Sequence, residues 1–252
     1  MLHLEIASCS EVGGRSRNED DLRVGQSGGT HFAVLSDGAG GHGHGQMASD
    51  IVVRTVALAL QHSDTFACEP LRLALTQAHQ ALVREQGAAL AHQRMHATVV
   101  ALWLDVEREQ ALWAHLGDSR LYLLRGGRAL QLTRDDSLVQ QLVDAGMLSA
   151  QEARTHPKKN QLLQALGSRD LDRVHACEGP LPLQHGDAFL LCSDGWWERL
   201  EGPDLVHSLA QASTAQDWVA RMRDQVAAGA RPGQDNYSAI AVRLSAEAPA
   251  GA

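Results

Sequence analysis

Residues 31–41 read HFAVLSDGAGG. Alternation and β-branching predict a strand over His31–Ser36, and Gly38, Gly40 and Gly41 let the backbone turn tightly behind it. Asp37 then stands where a buried strand ends, a costly place for a carboxylate with nothing to pair with.

The same device recurs along the chain. LLCSDG (190–195) puts Asp194 at the end of another apolar run, and WAHLGDSRLYLL (113–124) puts Asp118 at a glycine-marked break between two strands. PGQDNYSAIAVRL (232–244) sets Asp235 just ahead of a strand, and RSRNEDD (15–21) carries Glu19, Asp20 and Asp21. Any one of these acids alone reads as a turn residue, since aspartate and glycine both favour turns. Together they place carboxylates at several strand ends, where they repel one another unless cations lie between them. All-oxygen ligands favour magnesium, manganese or calcium over zinc.

The chain of 252 residues suits one large domain or two small ones, and a hydrophobic share of 44% suffices for a sizeable core. A net charge of −8 argues against nucleic acid as the main partner. Cys9, Cys68, Cys177 and Cys192 show no C-x-x-C spacing and read as reduced thiols. The N-terminus lacks the pattern of a signal peptide, and no apolar run has the length of a membrane span. A soluble, cytoplasmic protein with no membrane partner is expected.

Strand patterns fall at Leu4–Cys9, His31–Ser36, Ala97–Val106, Gln110–Leu116, Ser119–Arg125, Arg128–Thr133, Arg173–Glu178, Ala188–Ser193 and Ser238–Leu244. Helical patterns fall at Gly45–Gln61, Pro70–Ala91, Ser137–Ala145, Pro203–Gln211 and Ala215–Ala228. Leu71, Leu75, Ala78 and Leu82 make one apolar face of the second helix. Hairpin-linked strands with paired helices predict an α+β domain of antiparallel sheets covered by helices.

In order and spacing, RSRNED (15–20), SDGAGGHGHGQMAS (36–49), MHATVVAL (95–102), GDSRLYLLRGGRALQLTRDDS (117–137), HPKKNQLLQALG (156–167), LLCSDG (190–195) and GQDNYSAIAV (233–242) resemble the bacterial metal-dependent serine/threonine protein phosphatases of the PPM family. The resemblance runs over nearly the whole chain. It implies a four-layer αββα sandwich in a single domain over 1–245 with a flap at about 135–168, while the small-residue composition of 246–252 itself reads as a disordered tail. It also implies hydrolysis of phosphoserine and phosphothreonine on proteins, without a phosphoenzyme, by water activated between two to three Mn2+ or Mg2+ ions. By the same resemblance Asp37 bridges two ions, the Gly38 carbonyl ligates one, and Asp194 and Asp235 complete the other shell. Asp118 holds a third ion, and Glu19 and Asp20 act through metal-bound waters. Arg15 matches the arginine that grips the substrate phosphate, with Arg17 as the alternative. A fork of two hydrogen bonds to phosphate suits a guanidinium there. Phosphoproteins, a cognate kinase and that kinase's targets are the implied partners, and a monomer is expected.

One departure is Ala39, where some members carry a histidine that protonates the leaving group. His42 and His44 lie close in sequence, although capping or packing at a helix start is the plainer role for both. Cys192 reads as a buried structural thiol. The flap is expected to influence substrate choice. The rival readings are a catalytically silent phosphoprotein-binding member of the same fold, and a metal-dependent phosphodiesterase or nuclease, which the acidic charge disfavours.

Overall fold

The computed structural model describes residues 2–40, 43–87, 95–169, 171 and 173–246. The chain opens with β1 (Leu2–Glu11), β2 (Asp20–Ser27) and β3 (Thr30–Ala39), followed by α1 (His44–Gln61) and α2 (Cys68–Gln86). Next come β4 (His96–Ala97), β5 (Val99–Asp105), β6 (Gln110–Leu116), β7 (Arg120–Arg125) and β8 (Arg128–Gln131). Two short helices, α3 (Leu138–Asp144) and α4 (Ala150–Thr155), precede β9 (His175–Ala176), β10 (Leu181–Pro182) and β11 (Ala188–Cys192). The chain closes with α5 (Asp194–Trp197), α6 (Gly202–Gln211), α7 (Ala215–Ala228) and β12 (Tyr237–Ala246).

One sheet runs in the order β1-β12-β11-β7-β8. The other runs β10-β6-β5-β3-β2, with β4 beside β3 and β9 beside β6. Every described strand pair is antiparallel. Alternation along each strand sorts the apolar residues into three layers. Phe32, Val34 and Trp103 face α1 and α2. Tyr122, Leu190 and Ala241 face Trp218 and Met222 of α7. Leu35, Leu102, Leu123, Phe189 and Val242 fill the space between the sheets. The expected αββα sandwich is therefore present.

That middle layer changes character at one end. Stepping two residues along each inward-facing row, Leu35 gives way to Asp37, Val100 to Thr98 and Leu121 to Ser119. Leu191 likewise gives way to Ser193, Ile240 to Ser238 and then Asn236, and Leu22 to Asp20. The dry core thus ends in a polar basin. The register across β3 holds throughout: Leu35 faces Val100, Gly38 faces Ala97 and Ala39 faces His96.

Several boundaries differ from the expectation. The strand expected over Ala97–Val106 is divided into β4 and β5 around Thr98, whose N–H donates to the Asp37 carbonyl at 2.8 Å. Strand β2 was not anticipated, because it lies at a sheet edge, is half exposed and lacks clean apolar alternation. Helix α5 is one turn and too short to show a period. The second helix begins at Cys68 and ends at Gln86; the remainder of its expected span, 88–91, lies outside the described residues, as do His42 and the tail 247–252. All four cysteines are free, and Cys192 is fully buried.

The segment after β8 closes on itself at its root. Leu138 N–H donates to Gln161 O and Leu163 N–H to Asp136 O, at 2.9 and 2.8 Å. Its outer end is tied to the α5–α6 connection by Lys159 with Glu198 and by Arg154 with Glu201. Only Val139 is buried in α3, and no residue of α4 is.

Candidate active site

The polar basin opens into a pocket of about 260 Å³. Asp37 and Gly38 come to it from the end of β3, Asp118 from the turn joining the two sheets, and Asp194 from the start of α5. Asp235 arrives just before β12, and Arg15 and Glu19 from the loop between β1 and β2. Asp20 lies beneath, opposite Asp37 in the β2–β3 ladder, and takes a 2.8 Å hydrogen bond from Ser193 Oγ of the other sheet. Asp21 faces Ser36 instead and accepts from the N–H of Leu22.

Of the two arginines in the loop, Arg15 lines this pocket, its Nη2 donating to Asp235 Oδ2 at 2.8 Å. Arg17 lines an adjoining recess of about 250 Å³. His44 does not line the carboxylate pocket, and His96 does.

The supporting contacts come from side chains packed around the acids. Asn236 holds the arginine loop: its Nδ2 donates to the carbonyls of Val12 and Arg17, at 2.8 and 2.9 Å, and its Oδ1 accepts from the N–H of Glu19 at 2.8 Å. Thr98 Oγ1 accepts from the N–H of Asp37 at 3.0 Å and shares a 2.7 Å hydrogen bond with Ser119 Oγ. Trp197 Nε1–H donates to the Asp118 carbonyl at 2.9 Å, while the Arg120 guanidinium lies 3.6 Å above the indole. Arg120 is fixed in turn by a fork of hydrogen bonds to Asp135. Asn236 and Ser119 flank an acid in sequence and Thr98 lies opposite one in the ladder, but nothing in their type marks them in the linear sequence.

The electrostatics are those of carboxylates crowded together in a desolvated basin. Burial, then the carboxylates of Asp20 and Asp194, hold Asp37 well above the usual range. Asp118 is raised likewise, by burial and then by Asp194. Burial pushes Asp20 up to about 7 and, joined by Asp235, Asp194 up to about 6. Asp20 Oδ1 and Asp194 Oδ1 are buried without a hydrogen-bond partner. Among the described residues, no group of three acids, histidines or cysteines is drawn tightly enough to enclose a single ion. The acids face one another across the pocket instead. Orphaned buried carboxylate oxygens and a set of oxygen donors suit hard divalent cations, which would relieve both the desolvation and the repulsion.

Comparison with known proteins agrees with this architecture. The family described as Protein phosphatase 2C matches residues 10–231. The protein phosphatase PhpP of Streptococcus pneumoniae is 30% identical, over 97% of this chain and 99% of its own. Mycobacterium tuberculosis PstP, a serine/threonine protein phosphatase, is 34% identical over 85% of this chain and 40% of its own length. The crystal structure of the PstP catalytic domain in complex with two manganese ions superposes with a TM-score of 0.84 at 26% identity, covering 97% of this chain and 100% of that one. With a family match over most of its length and a fold that follows, this chain belongs to the protein phosphatase 2C family.

Proposed function

We propose that the carboxylate pocket hydrolyses phosphoserine and phosphothreonine on protein substrates, using two to three Mn2+ or Mg2+ ions. The observation that carries this reading is the meeting of Glu19, Asp37, Asp118, Asp194 and Asp235, from separate segments of both sheets, around one pocket floored by orphaned buried carboxylate oxygens. The side chains of Asp37, Asp118, Asp194 and Asp235 and the carbonyl of Gly38 would hold the cations. Bound there, divalent cations neutralise the acids, bring the pKa of a water towards neutrality and offset charge on the phosphoryl oxygens.

The chain's own groups do the rest. Arg15 reaches the pocket rim and presents a fork of N–H donors suited to two phosphoryl oxygens. The Asn236 clamp fixes the backbone that carries it, so less freedom is lost when substrate binds. Glu19 at the pocket wall and Asp20 beneath it would orient metal-bound waters. The flap closes one side of the pocket through Asn160, Leu162 and Ala165, which supports a role for residues 154–160 in substrate choice. Phosphoproteins are the substrate class, with a partner serine/threonine kinase supplying them. A silent phosphoprotein-binding role is disfavoured because none of the acids is missing.

The test is hydrolysis of p-nitrophenyl phosphate with and without manganese, beside Asp37→Asn. Wild type should be active only with the metal, and the variant should lose at least about 100-fold in kcat while keeping its far-UV spectrum. Metal-independent turnover, or a fully active variant, would overturn the reading.

A further inference from the structure

We propose that His96 is the general acid that protonates the departing seryl or threonyl oxygen; this rests on the phosphatase reading above. Its position follows from the strand register. Asp37 faces Thr98 across the β3–β4 ladder, and Ala39 faces His96. Residues two apart on a strand share a face, so Asp37 and Ala39 point the same way, as do Thr98 and His96. Directly opposed side chains also share a face. The His96 side chain therefore extends the row Leu102–Val100–Thr98 into the polar basin, and His96 lines the carboxylate pocket.

The position opposite carries only a methyl group, Ala39, which leaves an imidazole room over the pocket. Asp37 and His96 are diagonal neighbours in the ladder, about 7–8 Å apart at the backbone. That interval leaves room for a phosphoryl group between the two side chains. The phosphorus would lie on the Asp37 side and the leaving oxygen on the His96 side.

The chemistry requires such a group. As water oxygen bonds to phosphorus, the bond from phosphorus to the serine or threonine oxygen breaks, and that oxygen leaves with the electron pair. An alkoxide is a poor leaving group, so a proton must reach it as the bond breaks. Of the acids lining the pocket, Asp37, Asp118, Asp194 and Asp235 would hold the cations and Glu19 would orient their waters, which leaves none of them free for the leaving oxygen. Arg15 donates to Asp235 and is aimed at the phosphoryl oxygens rather than the leaving group. Among the described lining residues His96 is the remaining side chain that gives up a proton near neutrality. The imidazolium passes its proton to the leaving oxygen and regains one from the water that attacked.

The experiment compares His96→Ala and His96→Gln with wild type on a phosphothreonine peptide and on a series of aryl phosphates ending at p-nitrophenyl phosphate, all with saturating manganese. The loss in kcat should grow with the basicity of the leaving group, from no more than about fivefold for p-nitrophenyl phosphate to about 100-fold for the peptide. Added imidazole should restore part of the peptide activity of His96→Ala. Both variants should keep the manganese-induced rise in Tm, which separates lost proton transfer from lost metal binding. A loss equal across the series, or none on the peptide, would overturn the role of His96 while the phosphatase reading stands. A wild type inactive on every substrate would instead remove that reading.

Discussion

His115 is 6% exposed, with its ring stacked on that of His175 at 5.0 Å and its Nε2 3.0 Å from the carbonyl of Arg134. Burial lowers its pKa, and the neighbouring His175 adds to this, against the Arg134 carbonyl, Asp136 and Asp135. His175 in turn meets Asp136, whose other carboxylate oxygen accepts from the N–H of Gly117, immediately before Asp118. An imidazole whose folded pKa is depressed resists protonation that the unfolded chain accepts below about 6.5. The unfolded state then binds more protons, and stability contributed by neutral His115 is lost as pH falls. The buried carboxylates with raised pKa values act with the opposite sign over the same window, so the His115 component is read as a difference: between about pH 7.5 and about pH 5.5 the Tm of His115→Gln should fall less, or rise more, on acidification than that of wild type. Equal slopes in thermal melts would refute this. At this scale the acids were legible, because a carboxylate after an apolar run is conspicuous. Asn236 and Thr98 were not, because their significance lies in which backbone groups they reach across the fold.

Strand β3 and helix α1 approach so closely that side chains are excluded between them. A Cβ on Gly45 would stand 2.6 Å from the carboxyl carbon of Glu19 and 2.7 Å from the Gly38 carbonyl oxygen. The glycines behind Asp37 thus do more than turn the chain, since they let the start of α1 rest on the strand end that forms the site. Gly45→Ala should destabilise the protein by about 1–3 kcal/mol in urea unfolding, through overpacking in a spot with no give. A change under about 0.5 kcal/mol would show that the approach is loose. The long elements were readable for familiar reasons. Gln110–Leu116 and Ala215–Ala228 match their expected bounds because each carries a complete period of its own. Edge strand β2 and one-turn helix α5 have no such period, and both exist because neighbours complete their hydrogen bonds.

The two sheets bring acids from both sides of the sandwich into one basin, so their repulsion opposes the packing that creates it. Asp194→Asn should therefore raise Tm in the presence of chelator by about 2–4 °C, the effect of about 1 kcal/mol in a chain of this size. Wild type should gain stability on addition of manganese, by about 2.7 kcal/mol at 100 times the dissociation constant, and the variant should lose most of that gain. A chelated variant no more stable than wild type, measured by calorimetry, would mean the acids do not strain the fold. By itself the sequence determined the α+β layering, the family and the identity of the acids, since each is written in local alternation and in motifs that follow one another along the chain. Only the tertiary structure decided that Arg15 rather than Arg17 lines the carboxylate pocket, and that His96, opposite Ala39, reaches it where His44 does not. Those outcomes depend on strand register and on the meeting of two sheets, which set distances between residues far apart in the chain and leave no local pattern.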